Sequence, residues 1–331
     1  MPRTAILAGA LLAFGLSCAQ AQTFSFGLWG DMPYQKAGDQ PKIPALLDSI
    51  NRSDIAFSIY DGDIKDGSSQ CTDDIYRSAL AMFGQMHKPI VYVPGDNEWT
   101  DCHRLNNGGY DGLERLDHLR KIMFPTVDSL GKRTMPLAHQ GRPGEKFVEN
   151  TRFSHRGIVF ATLNMPGSNN NKILDGKDCT FKSARTPAQC EASNAEYLDR
   201  DAANIGWMQQ AFKTAKTQKA RGLVLVIQAD PGFDLPETEE KDESQEPRFS
   251  GYRKFIDSVV LETEQFNGQV LLVHGDTHFF KVDKPLYSPT KVLANLTRLQ
   301  TFGSPLIHWV RVTVEPNNPN VFAVRPMMVR Q

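Results

Sequence analysis

One pattern recurs along this chain: an apolar run ends and Gly-Asp follows at once. It occurs at Gly30-Asp31, Gly62-Asp63, Gly95-Asp96 and Gly275-Asp276, and a fifth run ends in Gln228-Ala229-Asp230. The preceding segments, Thr23 to Trp29, Ile55 to Tyr60, Ile90 to Val93, Leu223 to Ile227 and Val270 to Val273, read as strands. Gly-Asp is a favoured turn dipeptide, and that explains any single instance. Repetition at successive strand ends calls for more, because open α/β sheets bind ligands outside the carboxyl ends of their strands. Acids gathered on one such rim repel each other unless cations sit among them. A metal site is the direct physical inference.

The segments between these strands fit an α/β frame. Pro41 to Ile50 has helical spacing, with Ile43, Leu46, Leu47 and Ile50 on one face. Thr72 to Met86, Leu113 to Met123 and Asn194 to Lys219 also read as helices, and Gly157 to Leu163 as a strand. Trp309 to Val314 and Val321 to Val324 form a hairpin pattern across a Pro/Asn-rich turn. Strands alternate with helices early and pair locally late, which implies sheets covered by helices with an antiparallel finish. Two polar insertions interrupt the pattern, Gly167 to Ala192 and the acidic Pro236 to Pro247. Loops of that length inside a domain are usually functional or mobile. No repeat or linker divides the chain, so residues 22–331 are expected to form one domain.

Met1 to Ala21 has the form of a secretory signal: Arg3, an apolar stretch from Ala5 to Leu16, and Ala19-Gln20-Ala21 before the cleavage point. Lipidation at Cys18 is the alternative, but Gly15-Leu16-Ser17 fits a lipobox poorly. A periplasmic or secreted protein is expected, with no transmembrane segment. Of the 331 residues, 40% are hydrophobic and 23% charged, which excludes disorder and coiled coil as the main state. Cleavage leaves 36 basic and 38 acidic residues, and that balance shows no nucleic-acid-binding surface. The four remaining cysteines suggest two disulfides in an exported chain. Three pairings are open; proximity in sequence favours Cys179 with Cys190 and Cys71 with Cys102.

The ordered set Gly30-Asp31, Gly62-Asp63-Ile64-Lys65-Asp66, Gly95-Asp96-Asn97-Glu98 and Gly275-Asp276-Thr277-His278 resembles the motifs of the calcineurin-like metallophosphoesterases. The resemblance runs from about Phe24 to His278. It implies a double β-sandwich flanked by helices, a four-layer αββα arrangement, with two divalent cations at the strand ends. It also implies that Asp31 binds the first cation, Asp63 bridges both, Asn97 binds the second and His278 returns to the first. Asp66 matches too, but serves its own loop.

The chain departs from that family in a consistent direction. Pro33 replaces the histidine of Asp-x-His, Glu98 stands where a histidine often follows the asparagine, Gln228 occupies the lone-histidine position and Asp276 replaces the first histidine of Gly-His-x-His. Asp63, Asn97, Gln228 and Asp276 would make the second position nearly all oxygen, which favours Mg²⁺, Ca²⁺ or Mn²⁺. His278 leaves Mn²⁺, Fe or Zn²⁺ open at the first. The expected chemistry is hydrolysis of a small phosphorylated substrate, a mono- or diester, by a metal-activated hydroxide. Glu98 or His103, just after the third strand, is the candidate acid for the leaving group. Asn164, followed by Gly167-Ser168-Asn169-Asn170, is a candidate for the same rim, and Tyr34 and Tyr110 are candidates for substrate contact. The contrasting expectation is a noncatalytic domain of the same fold that binds a ligand or partner. Neither a Gly-x-Ser-x-Gly elbow nor a Walker loop is present.

Overall fold

The structure is a computed structural model that describes residues 22–233, 245–288 and 291–330. The signal segment and residues 236–244 of the acidic insertion lie outside the described residues. The strands are β1 (Phe24–Trp29), β2 (Ser58–Tyr60), β3 (Ile90–Tyr92), β4 (Ala138–His139), β5 (Thr151–His155), β6 (Ile158–Thr162), β7 (Gly222–Val226) and β8 (Gln269–His274). They continue with β9 (Lys281–Asp283), β10 (Leu286–Ser288), β11 (Lys291–Val292), β12 (Leu296–Gln300), β13 (Trp309–Val314) and β14 (Phe322–Met327).

Two sheets result. One has the order β14-β13-β1-β2-β3, the other β4-β5-β6-β7-β8-β12-β9. β1, β2 and β3 run parallel, as do β6, β7, β8 and β12. The carboxyl ends of the strands that carry the Gly-Asp motifs therefore sit on shared rims. β13 and β14 pair antiparallel, as the late hairpin pattern implies.

Alternation along the strands separates two apolar layers, since successive side chains point to opposite faces. Phe26 on β1 meets Phe160 on β6 edge to face at 5.2 Å, so one layer lies between the sheets. Ile158, Val224, Val226, Leu271 and Val273 join it from the second sheet. The intervening residues Val159, Ala161, Leu223 and Leu225 face outward onto helices Pro187–Thr217 and Arg253–Glu264, through Trp207, Phe212, Phe255 and Val259. Helices Ile43–Arg52 and Asp73–Phe83 flank the first sheet; Trp309 donates to Ser49 at 2.9 Å and Trp29 packs on Phe83. The result is the helix-flanked double sheet expected from the sequence. Each large apolar side chain so buried contributes roughly 1.5–3 kcal/mol.

Several boundaries differ from the sequence expectation. The long helix begins at Pro187 rather than Asn194, because Thr186 and Gln189 form a reciprocal capping box with Pro187 in the first turn. The first polar insertion is correspondingly shorter, with a five-residue helix at Gly176–Thr180. β5 and β12 were not visible in the periodicity: both mix apolar and polar residues, and β12 buries Arg298 in an ion pair with Asp283. Among the described residues no helix is long and apolar enough to cross a membrane.

Both disulfides form with the pairing that proximity favours. Cys71–Cys102 joins the loops that follow β2 and β3, with Cα atoms 5.7 Å apart, and Cys179–Cys190 closes the polar insertion at 5.8 Å. Mature, unreduced protein should show no reactive thiol, and replacing Cys71 and Cys102 by Ser should lower unfolding free energy by about 3–4 kcal/mol. Thiol titration and urea unfolding check both; four free thiols would contradict the pairing.

Candidate functional site

The Gly-Asp pairs make sense at atomic scale. A Cβ on Gly95 would overlap the Asp63 carboxylate, and one on Gly275 would overlap that of Asp31. These glycines leave room for the acid of an adjoining strand end, a stricter demand than a turn makes. Asp31, Asp63, Asp276 and His278 all adopt left-handed backbone, with φ of 49°, 59°, 73° and 69°. Such conformations are costly for residues with a Cβ, and the surrounding structure must impose them.

The side chains form a connected cluster. The Asp276 amide donates to Asp31 Oδ2 at 3.1 Å, and the Asp230 amide to Asp276 Oδ2 at 3.2 Å. Gln228 Nε2 lies 3.4 Å from both Asp276 Oδ1 and Asp96 Oδ1. Ser168 donates within the pair Asp96 Oδ2 and Asp101 Oδ1, at 2.8 and 2.7 Å, and Arg104 pairs with Asp101 at 2.8 Å. Asp63 receives the Asn97 amide N–H at 3.1 Å and Asn97 Nδ2 at 2.6 Å. His278 Nδ1 donates to the Ser304 carbonyl at 2.7 Å, which turns Nε2 toward Asp31 Oδ1 and the Tyr34 hydroxyl, each at 3.3 Å.

The electrostatics are those of acids withdrawn from water. Burial, followed by the charges of Asp96 and Asp31, pushes Asp63 and Asp276 well above the usual carboxylate range. Burial and Asp31 raise Asp61 to about 8, despite a hydrogen bond from Thr301. Burial and Asp96 raise Asp101 to about 7, against the pull of Arg104. Burial would lower His278, but the Asp31 carboxylate, 3.3 Å from its Nε2, outweighs it and the ring is raised. Lys65, wholly buried beside Asp63, donates to the carbonyls of Asp66 and Asn97.

These residues fit a cation unevenly. Asp31 Oδ1 is buried without a hydrogen-bond partner, and with His278 Nε2 it offers an acceptor pair suited to a divalent ion. At the other position the amides present their donor ends. The Gly167 N–H donates to Gln228 Oε1 at 2.6 Å, which fixes Nε2 toward the carboxylates, and Asn97 also turns its nitrogen to Asp63. Among the described residues no group of three or more His, Cys, Asp or Glu is arranged to hold a metal ion as it stands. A second cation requires both amides to turn.

No protein-family model matches the chain, and no curated protein matches its sequence. Among solved structures, PhoD superposes with a TM-score of 0.53 and 12% identity, over 92% of this chain and 68% of its own. The fold is that of the calcineurin-like phosphoesterases. Looser matches are GAP50, the anchor in the inner membrane complex of Plasmodium (TM-score 0.48, 13% identity, 93% of this chain and 90% of that one), and purple acid phosphatase PPD1 from yellow lupin (0.49, 11%, 93% and 54%).

On this calcineurin-like frame, Asp31, Asp63, Asn97, Gln228, Asp276 and His278 come together at one rim. The two candidate acids part company. Glu98 is fully buried, accepting from Tyr92 and the Gly95 amide at 2.8 Å each, and does not line the adjoining cavity. His103 does line it, but burial, Arg185 and Arg104 depress its ring to about 3, so it is neutral at pH 7. Asn164 lies below the rim, donating to Glu149 at 2.9 Å. Asp66 accepts from Ser68 and Ser69 and shapes its own loop. Sequence reasoning missed Asp61 and Lys65 as parts of the cluster, although the doubled Asp61-Gly62-Asp63 carries a signal for the first; Asp96 is signalled by its Gly-Asp pair and Ser168 by the Gly167-Ser168-Asn169-Asn170 turn after the fourth strand.

Asp61 titrates near 8 when folded, against about 4 in an unfolded chain. Between about pH 4 and 8 the folded state keeps a proton the unfolded state has lost, so stability falls as pH rises and levels off near pH 9. His103, His155 and His308, all lowered by burial, act oppositely, but only below about pH 6.5. The urea midpoint of chelator-treated protein should drop from pH 7 to pH 9, and Asp61→Asn should flatten that drop. An unchanged slope in the variant would reject the buried charge.

Proposed function

We propose that this chain is an exported, metal-dependent phosphoesterase acting on a phosphomonoester or phosphodiester. The observation that carries the proposal is the buried acid cluster at the strand ends, where Asp31, Asp61, Asp63, Asp96 and Asp276 face few compensating cations. Such an arrangement costs stability unless positive charge enters it.

Asp31, Asp63 and His278 would hold the first cation; Asp63, Asn97, Gln228 and Asp276 the second, after the amides turn. Bound divalent ions would activate a water for in-line attack on phosphorus and neutralise charge on the phosphoryl oxygens. The chain supplies the rest. The Ser304 carbonyl fixes the His278 tautomer, and the Asp276 amide orients Asp31. Arg104, whose Nη2 donates to Ser168 at 3.2 Å, stands at the rim as a fixed charge for a phosphoryl oxygen. The neutral His103 ring, held by Ser183 at 2.9 Å, faces the cavity where a leaving group would depart. A leaving group of low pKa would need little protonation.

A second reading has its own support: the nitrogen ends of Asn97 and Gln228, together with Lys65, offset part of the acid charge without any ion. On that reading the domain is noncatalytic and binds a ligand or partner. Metal analysis of purified protein, with hydrolysis of 4-nitrophenyl phosphate and its bis-ester under Mn²⁺, Mg²⁺ or Ca²⁺, separates the two. Asp63→Asn should reduce turnover at least 100-fold and lower bound metal. Full turnover in that variant would overturn the bridging role, and absence of both metal and hydrolysis in the parent would favour the noncatalytic reading.

A further inference from the structure

A cavity of about 1100 Å³ opens beside the acid cluster, reaching from Asp276 and Asp230 to the disulfide-closed segment around residues 172–185. That is more room than a phosphoryl group needs; small-molecule pockets commonly span about 300–1,000 Å³. The two ends carry opposite charge. Away from the acids, the wall bears Lys172, Lys177, Lys182 and Arg185.

Arg185 donates to the carbonyls of Cys179 and Asp178, at 3.3 and 3.1 Å, and Lys172 to the Ser250 hydroxyl at 3.0 Å. Among the described residues no carboxylate forms a salt bridge with any of the four. Asp175 and Asp178, on the same segment, are occupied by its backbone amides: Asp175 accepts from the Asp178 N–H and Asp178 from the Leu174 N–H, both at 2.9 Å. Between the charges the wall is apolar, and Leu105, Leu174 and Phe181 leave 65%, 44% and 62% of their surface uncovered. Exposed apolar side chains gathered on one concave wall mark a binding surface.

We propose that this cavity is a substrate subsite for a small molecule with two anionic groups on an apolar or aromatic body, about the size of a nucleotide. The reacting phosphate would lie at the acid cluster and the second phosphate or carboxylate between Lys172 and Arg185. The inference rests on the phosphoesterase proposal for the reacting end, while the basic end can be tested without it.

Titration calorimetry in a chelator tests the basic end alone, using adenosine 5′-monophosphate, adenosine and inorganic phosphate as probes. The monophosphate should bind tighter than inorganic phosphate, adenosine should bind at least tenfold more weakly, and added salt should weaken the monophosphate. The Lys172→Gln/Arg185→Gln variant should weaken the monophosphate at least tenfold. Should that variant fold poorly, the exposed pair Lys177→Glu/Lys182→Glu gives the same readout. With divalent ion present, kcat/KM for adenosine 3′,5′-bisphosphate should exceed that for the monophosphate at least tenfold, through KM, and the variant should lose the advantage. Monophosphate binding that is absent, or unchanged in both variants, overturns the proposal whether or not the protein hydrolyses esters. Hydrolysis of small esters with no preference for the second charge also overturns it, and leaves the phosphoesterase assignment standing.

Discussion

Like charges brought out of water at one edge of two sheets are the constraint on which this architecture turns. Parallel strands deliver Asp31, Asp63 and Asp96 from the first sheet and Asp276 from the second to a common rim. Gly30, Gly95 and Gly275 admit the carboxylates of Asp61, Asp63 and Asp31, and Gly62 the Gln228 side chain, where a Cβ would collide. Left-handed backbone at Asp31, Asp63 and Asp276, and at His278 beside them, adds strain that the apolar layers must offset. A stable fold does not need such an arrangement. Its cost is the reason to look for positive charge supplied from outside the chain.

Beneath the rim, a second set of polar contacts keeps the loops from drifting. Arg120 grips Glu149 through two hydrogen bonds, at 2.9 and 2.7 Å, and Glu149 in turn receives Asn164. Arg200, fully buried, donates to the carbonyls of Asn164 and Asn170, at 2.9 and 3.0 Å. Buried ion pairs of this kind add little net stability, but removing one partner is expensive. Here they fix the segment that presents Ser168 to Asp96 and Asp101. The same segment leads into the basic wall of the cavity, so one buried network serves both charged ends.

Much of the frame was legible because it depends on local signals: strand runs closed by Gly-Asp, helical spacing from Ile43 to Ile50, and the late hairpin. That Asp31, Asp63, Gln228 and Asp276 meet at one rim was legible for the same reason, an apolar run ending just before each, whereas Asn97 and His278 came from the resemblance to the calcineurin-like motifs. What escaped depends on long-range geometry. β12 lines up with β8 only through pairing, and its buried Arg298 disguises it. Which end of Gln228 faces the acids is set by the Gly167 amide, 61 positions away in sequence. Glu98 is buried against Tyr92 and the Gly95 amide, while His103, five residues on at the end of a short helical turn, lines the cavity. The cavity itself is made by segments whose individual sequences look like ordinary polar loops.

The bond between Cys71 and Cys102 ties together the loops bearing Asp63 and Asp101. Because cysteines join only where the surroundings are oxidising, the acid-lined rim acquires its brace at the place of oxidation rather than at the ribosome. On the metal-dependent reading, the ion population of that compartment, more than the intrinsic preference of the ligands, would decide which element enters the rim.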